Sequence, residues 1–271
     1  MLKSAVWFIT EKCNLNCPYC YEKDVLKRLP SKDLPYTVWV EAWNKLKPET
    51  LDITGGEPFV VPDFVQLLEM LDPAIKIAIT TNTKADLTEF ILKIRPDKVI
   101  SMTLSAHPST MNSELFLGKV LMLKNRGFNI TINFVSYPEQ MWLIPAYKQR
   151  FESMGIRFHI DTFVYDDLTT FKYSDLELSF LKNYIMSDRS NLLDSKEKPA
   201  SCSAGQNHIQ VYPDGTAFAC MRDFLTGAKP LGNILTGLEL ANDLRYCSNI
   251  NLCAGCDKDK VTIEPLKVSL V

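Results

Sequence analysis

Apolar and polar positions follow two periods along this chain. Short apolar runs recur at residues 5–9, 51–54, 75–80, 99–104, 128–135 and 156–164, the lengths expected of strands. Between them the helical period takes over, as in the stripe of apolar residues at 87, 90, 91 and 94. Helices are expected from near residue 62 and over about 86–94, 110–125 and 138–154, with Gly127 and Gly155 in stop positions. Six strands joined through helices by short connections imply parallel pairing with right-handed crossovers. The pattern therefore predicts an α/β chain folded as an incomplete (β/α)6 barrel.

The pattern changes towards the carboxyl end. Residues 187–201 are rich in Ser, Asp and Lys and read as a linker. Beyond it, runs at 208–212 and 216–219 flank Pro213-Asp214-Gly215, which marks a β-hairpin. Two units follow from this, 1–190 and 191–271. The second is too small to hold a core without a staple.

Composition narrows the class only a little. The chain has 271 residues, 46% hydrophobic and 23% charged, the make-up of an ordinary globular protein. A formal net charge of -2 gives no electrostatic reason to expect nucleic acid as a partner. No apolar run reaches membrane-spanning length, and the start, Met1-Leu2-Lys3-Ser4, lacks the features of a signal peptide, so a cytoplasmic protein is expected.

The cysteines carry the chemistry. Eight thiols in a chain without an export signal read as metal ligands rather than disulfides. They fall into two groups, Cys13, Cys17 and Cys20 near the start and Cys202, Cys220, Cys247, Cys253 and Cys256 near the end. The first three follow the first strand directly, in a loop at the carboxyl end of the expected sheet, where α/β folds place their sites. Three sulfurs are one short of a tetrahedral set, which points to a [4Fe–4S] cluster with one open iron; a zinc site is the plain alternative. At the end of the second strand, Gly55-Gly56-Glu57-Pro58 joins two glycines, which let a ligand approach the backbone, to a carboxylate that can accept from an ammonium group.

Cys13-x3-Cys17-x2-Cys20, with Tyr19 as its aromatic, resembles the signature of radical S-adenosylmethionine (SAM) enzymes, and Gly55-Gly56-Glu57-Pro58 resembles their GGEP motif. The resemblance implies that the open iron and the GGEP loop hold SAM, and that one electron cleaves it to methionine and a 5'-deoxyadenosyl radical. It also implies SAM contacts at Asn82, Ser105 and Asn133, all at or near strand ends, where capping and turn formation are the ordinary alternatives. His107, Asp161 and Tyr165 are further positions that could face the barrel mouth; a lone histidine is more often structural.

Cys202-x12-Gly215-x4-Cys220 followed by Cys253-x2-Cys256 resembles the "twitch" form of the SPASM extension of these enzymes. That likeness implies a β-hairpin-plus-helix domain holding one auxiliary [4Fe–4S] cluster on Cys202, Cys220, Cys253 and Cys256, beside a partial (β/α)6 TIM-type barrel. A structural zinc ribbon would use the same four thiols. Cys247 is left as a buried thiol or as a replacement for one of the four.

The implied reaction is hydrogen-atom abstraction from a small natural-product or cofactor precursor, with net oxidation through the auxiliary cluster. The alternative is maturation of a ribosomally made peptide by cross-linking, thioether formation or epimerisation. The most distant alternative is a non-catalytic zinc-binding interaction protein. A reducing partner such as flavodoxin or ferredoxin is expected.

Overall fold

The computed structural model describes residues 2–32, 34–165, 171–185, 199–247 and 260–265. The strands β1 (Ser4–Phe8), β2 (Thr50–Thr54), β3 (Lys76–Thr81), β4 (Val99–Ala106), β5 (Ile130–Val135) and β6 (Arg157–Asp161) pair in sequence order, all parallel. The expected six parallel strands are therefore present in the expected order, as in a partial barrel.

The helices between them are α1 (Glu22–Val25), α2 (Tyr36–Leu46), α3 (Phe64–Met70), α4 (Thr88–Lys93), α5 (Ser113–Arg126) and α6 (Ile144–Ser153), with α7 (Asp175–Lys182) after β6. Two start later than expected. In α5, Asn112 caps the helix by accepting from the Glu114 and Leu115 amides, so 110–112 stay outside it. In α6, the two prolines at 138 and 145 restrict the start, and a short 3-10 turn at Met141–Leu143 precedes the helix. Both stop glycines behave as expected: Gly127 (φ 98°) and Gly155 (φ 67°) take the left-handed conformation. Helix α2 is absent from the sequence expectation, although Tyr36, Trp39, Val40, Trp43 and Leu46 recur at the helical period. Its Trp39 and Trp43 pack on Trp7 of β1, with ring centroids 5.4 and 5.3 Å apart.

Strand alternation divides the barrel into two faces. Ala5, Trp7, Leu51, Ile53, Ile77, Ile79, Met102, Leu104, Ile132, Phe134 and Phe158 point outwards and are buried in the main core, beneath the helices. Asp52, Thr54, Thr80, Thr103, Ser105, Asn133, His159 and Asp161 point inwards and line a cavity. Closed barrels of this class fill their interior with branched apolar side chains. Here polar side chains share the interior with Val6, Phe8 and Val135, and a cavity is left open.

The C-terminal residues add strands β7 (Ala200–Cys202), β8 (His208–Val211) and β9 (Thr216–Phe218), helix α8 (Met221–Leu225), and strands β10 (Gly232–Asn233), β11 (Gly237–Leu238), β12 (Arg245–Cys247) and β13 (Ile263–Pro265). The hairpin expected around Pro213-Asp214-Gly215 is β8–β9. Sequence alone does not reveal that β8 pairs parallel with β1, Ser4 opposite His208, so the hairpin extends the barrel sheet. A buried hydrogen bond of 2.7 Å between Ser4 Oγ and His208 Nδ1 fixes that join. Strands β12 and β13 flank β7 in a separate three-stranded sheet.

Candidate functional site

The site is assembled by docking two loops. After β1 the chain enters the cysteine loop, and after β2 it enters Gly55-Gly56-Glu57-Pro58. The Gly56 amide donates to Thr10 O at 2.7 Å and the Glu57 amide to Lys12 O at 2.9 Å. A Cβ at Gly55 would lie 2.7 Å from Thr10 O, and one at Gly56 would lie 2.1 Å from Lys12 O. The close approach expected of a ligand is thus made by the protein's own backbone. The physical reason is that two adjacent strand ends must each turn into the same mouth.

Glu57 secures this dock from below. It is buried, and its carboxylate accepts from Thr81 Oγ1 (2.7 Å), the Asn82 amide (2.7 Å) and the Phe59 amide (3.1 Å). Three of its roughly four acceptor sites are spent inside the protein. Burial pushes its pKa up, and the three donors oppose that shift. Pro58 opens the buried 3-10 turn behind it.

The three thiols stand at the cavity rim with donors around each of them. Cys13 Sγ accepts from the Leu15 amide at 3.4 Å and from Asn82 Nδ2 at 3.6 Å. Cys17 Sγ lies 3.5 Å from Thr110 Oγ1. Cys20 Sγ accepts from the amides of Glu22 and Lys23. Loss of surrounding water pushes all three thiols up, Cys20 to about 12 with the Glu22 charge adding to the effect. Thiols so placed are neutral until a metal takes the proton's place, and the ready N–H and O–H donors then face thiolates. Among the described residues no three ligating side chains are gathered tightly enough to hold a single metal ion, but donors of this kind suit the sulfurs of an iron–sulfur cluster.

Tyr19 is buried beside the thiols. Its hydroxyl stands 2.9 Å from His107 Nδ1, and its ring packs on those of His107 and Tyr137. Burial pulls His107 down to about 4, so its imidazole is neutral and shares one hydrogen bond with the Tyr19 hydroxyl. This gives the lone histidine its expected structural role, at the barrel mouth.

Ser105, Asn133 and His159 occupy one rung across β4, β5 and β6. Asn133 Nδ2 donates to Asp161 Oδ2 at 2.8 Å, and His159 Nε2 lies 3.1 Å from Asp161 Oδ1. The Asn133 carbonyl oxygen is buried and, among the described residues, has no partner. The Tyr21 hydroxyl donates to Glu22 at 3.0 Å, and burial lifts Glu22 to about 7. Lys260, from the far end of the chain, reaches into the cavity and pairs with Asp52. His159 and Lys260 carried no sequence signal, because only the barrel's closure brings them here. Tyr165 does not line the cavity; it is exposed and packs on Phe163 and Phe171. The cavity measures about 770 Å³, within the usual range for small-molecule sites.

In the C-terminal part, Cys202 is buried, and Cys220 and Cys247 pack against its small apolar cluster with Leu231 and Val261. Loss of water raises the Cys202 thiol, and Cys247 adds to the shift. Arg245, paired in bidentate fashion with Asp223, stands beside Cys202 and Cys220. Cys253 and Cys256 lie outside the described residues, as does most of the expected linker. No helix among the described residues is long and apolar enough to cross a membrane.

Comparison with known proteins agrees with this geometry. Residues 7–140 match the model of the Radical SAM superfamily. The antilisterial bacteriocin subtilosin biosynthesis protein AlbA of Bacillus subtilis is 21% identical over 253 residues, covering 80% of this chain and 54% of AlbA. The chain therefore spans about half the length of that relative. GTP 3',8-cyclase of Alkaliphilus oremlandii is 36% identical over 81 residues, 27% of this chain and 25% of the cyclase. Among solved structures, Streptococcus suis SuiB bound to precursor peptide SuiA aligns with a TM-score of 0.61 at 17% identity, over 89% of this chain and 65% of SuiB. Native anSMEcpe with bound AdoMet (SAM) and Cp18Cys peptide aligns at 0.59 and 15% identity, over 88% of this chain and 78% of that one.

Proposed function

From the premise that residues 7–140 make this chain a member of the Radical SAM superfamily, and so an enzyme, we propose that it acts on a peptide. Cys13, Cys17 and Cys20 would hold a [4Fe–4S] cluster, which when bound would supply one-electron reduction of SAM and so the radical chemistry of the superfamily. The chain's own part is to bind, orient and exclude water. Asn133 and Ser105 offer hydrogen-bonding groups to SAM from the barrel wall, and Gly55, Gly56 and Glu57 shape the loop beside the cluster. One observation carries the reading: three sulfurs, each already supplied with donors, stand at the rim of a barrel cavity.

A peptide comes ahead of a small precursor because of what the relatives are. AlbA is a bacteriocin biosynthesis protein, SuiB is seen with a precursor peptide and anSMEcpe with a bound peptide. The small-precursor reading rests on the shorter likeness to GTP 3',8-cyclase.

We further assign residues 191–271 to a twitch unit beside the barrel of 1–190, with an auxiliary [4Fe–4S] cluster on Cys202, Cys220, Cys253 and Cys256. Bound there, it would supply a one-electron acceptor for net oxidation of the substrate, with a flavodoxin or ferredoxin as the external reductant. The packing of Cys220 and Cys247 against the cluster around Cys202 supports a sulfur-rich centre there.

The test is anaerobic reconstitution, iron and sulfide counting, and a search for 5'-deoxyadenosine after reduction with SAM. Cys17→Ala abolishes that product; Cys253→Ala retains SAM cleavage. Zinc in place of iron, or iron without SAM cleavage, overturns the proposal.

A further inference from the structure

The three cluster sulfurs are not served alike. Those of Cys20 and, in part, Cys13 take hydrogen bonds from backbone amides, which any sequence supplies. Two bonds come from side chains on other elements: Asn82 Nδ2, after β3, to Cys13, and Thr110 Oγ1, after β4, to Cys17. In the free thiol either partner of the Thr110–Cys17 contact could donate. Once Cys17 is an iron-bound thiolate it has no proton, so Thr110 is the donor.

Both side chains are held for this purpose by their surroundings. The Asn82 amide is tied to Glu57, its Oδ1 accepts from the Lys84 amide at 2.8 Å, and of its two Nδ2 protons one goes to Asn14 Oδ1 at 2.9 Å, which leaves the other for Cys13. The Thr110 amide donates to His107 O at 2.9 Å, and His107 in turn holds Tyr19 two residues beyond Cys17. Thr110 Oγ1 also lies 3.3 Å from His107 O, a second acceptor for its single proton.

We propose that Asn82 and Thr110 are positioning residues that raise the reduction potential of the SAM-binding cluster through hydrogen bonds to Cys13 and Cys17. This rests on the cluster assignment made above. The added electron increases negative charge on the thiolates, so a donor facing them stabilises the reduced state more than the oxidised one. Loss of the donor makes the cluster harder to reduce.

The experiment is potentiometric titration of the reconstituted full chain, followed by electron paramagnetic resonance without SAM or substrate, with iron per chain measured alongside. Thr110→Val keeps the shape and removes the hydroxyl. It is expected to lower the ratio of reduced to oxidised cluster at fixed potential about three- to tenfold, or about 30–60 mV at 59 mV per tenfold for one electron. Thr110→Ser restores the donor and most of the potential. Asn82→Leu shifts the ratio the same way, and the double variant sums the two shifts because the bonds go to different sulfurs.

A ratio within about 1.5-fold of the parent in both single variants at full iron content, well below a one-bond effect, overturns the inference. So does a shift in Thr110→Val that Thr110→Ser fails to reverse. A parent protein that takes up no iron overturns the cluster assignment instead. If Thr110→Val loses iron, the decision passes to Asn82→Leu, whose backbone amide still serves Glu57.

Discussion

Gly56→Ala separates two reasons for a glycine in the GGEP loop. If the residue is small so that a ligand can approach, alanine leaves the empty protein sound and weakens only SAM binding. The structure requires the opposite. The new Cβ would meet Lys12 O at 2.1 Å, Lys12 C at 2.6 Å and Glu11 C at 2.9 Å, all backbone atoms that cannot swing aside. The loops must separate by about 1.3 Å to bring the 2.1 Å approach to an ordinary contact near 3.4 Å, which stretches the Gly56–Thr10 and Glu57–Lys12 bonds together. Two such bonds contribute about 0.5–1.5 kcal/mol each, and overpacking adds about 1–3 kcal/mol. The expected loss is therefore about 2–6 kcal/mol in the metal-free protein. Urea unfolding of parent and variant without iron measures it directly. Gly118→Ala is the control, since nothing lies within 4 Å of its Cβ on the exposed face of helix α5, and it should stabilise by about 0.5–1 kcal/mol. A Gly56→Ala protein as stable as the parent, with only SAM affinity reduced, would refute the backbone-docking account.

Three other outcomes follow from the same geometry. His107, held near 4 against its ordinary 6.5, contributes stability above 6.5 that is lost as pH falls towards 4, up to about 3 kcal/mol. His107→Phe should flatten the difference in stability between pH 7 and pH 4, and an unchanged slope would remove the buried neutral histidine from the account. Because the cluster thiols are raised, iron uptake must release protons, so reconstitution yield should fall as pH is lowered from 8 to 6 and an unbuffered solution should acidify. Lys119 Nζ donates to the carbonyls of Thr83, Lys84 and Ala85 at 2.6, 3.0 and 2.6 Å, so Lys119→Met should cost about 1–3 kcal/mol and speed amide exchange in the loop after β3. Unchanged exchange there would count against its role as a clamp.

The amino-acid order alone determined the six parallel strands, the stop at Gly127, the hairpin around Asp214-Gly215 and the two sulfur groups. Each of these is a local matter: a period, a turn residue or a short spacing, readable without knowing what lies opposite. Folding in three dimensions decided the rest. It spent Gly55 and Gly56 on the cysteine loop, closed Glu57 against Thr81 and Asn82, joined β8 to β1, and carried Lys260 to Asp52. Such partners lie tens to hundreds of positions apart along the chain. A short motif constrains its own backbone strongly, but it says little about which distant surface will press against it, because that depends on how the whole sheet curls and closes.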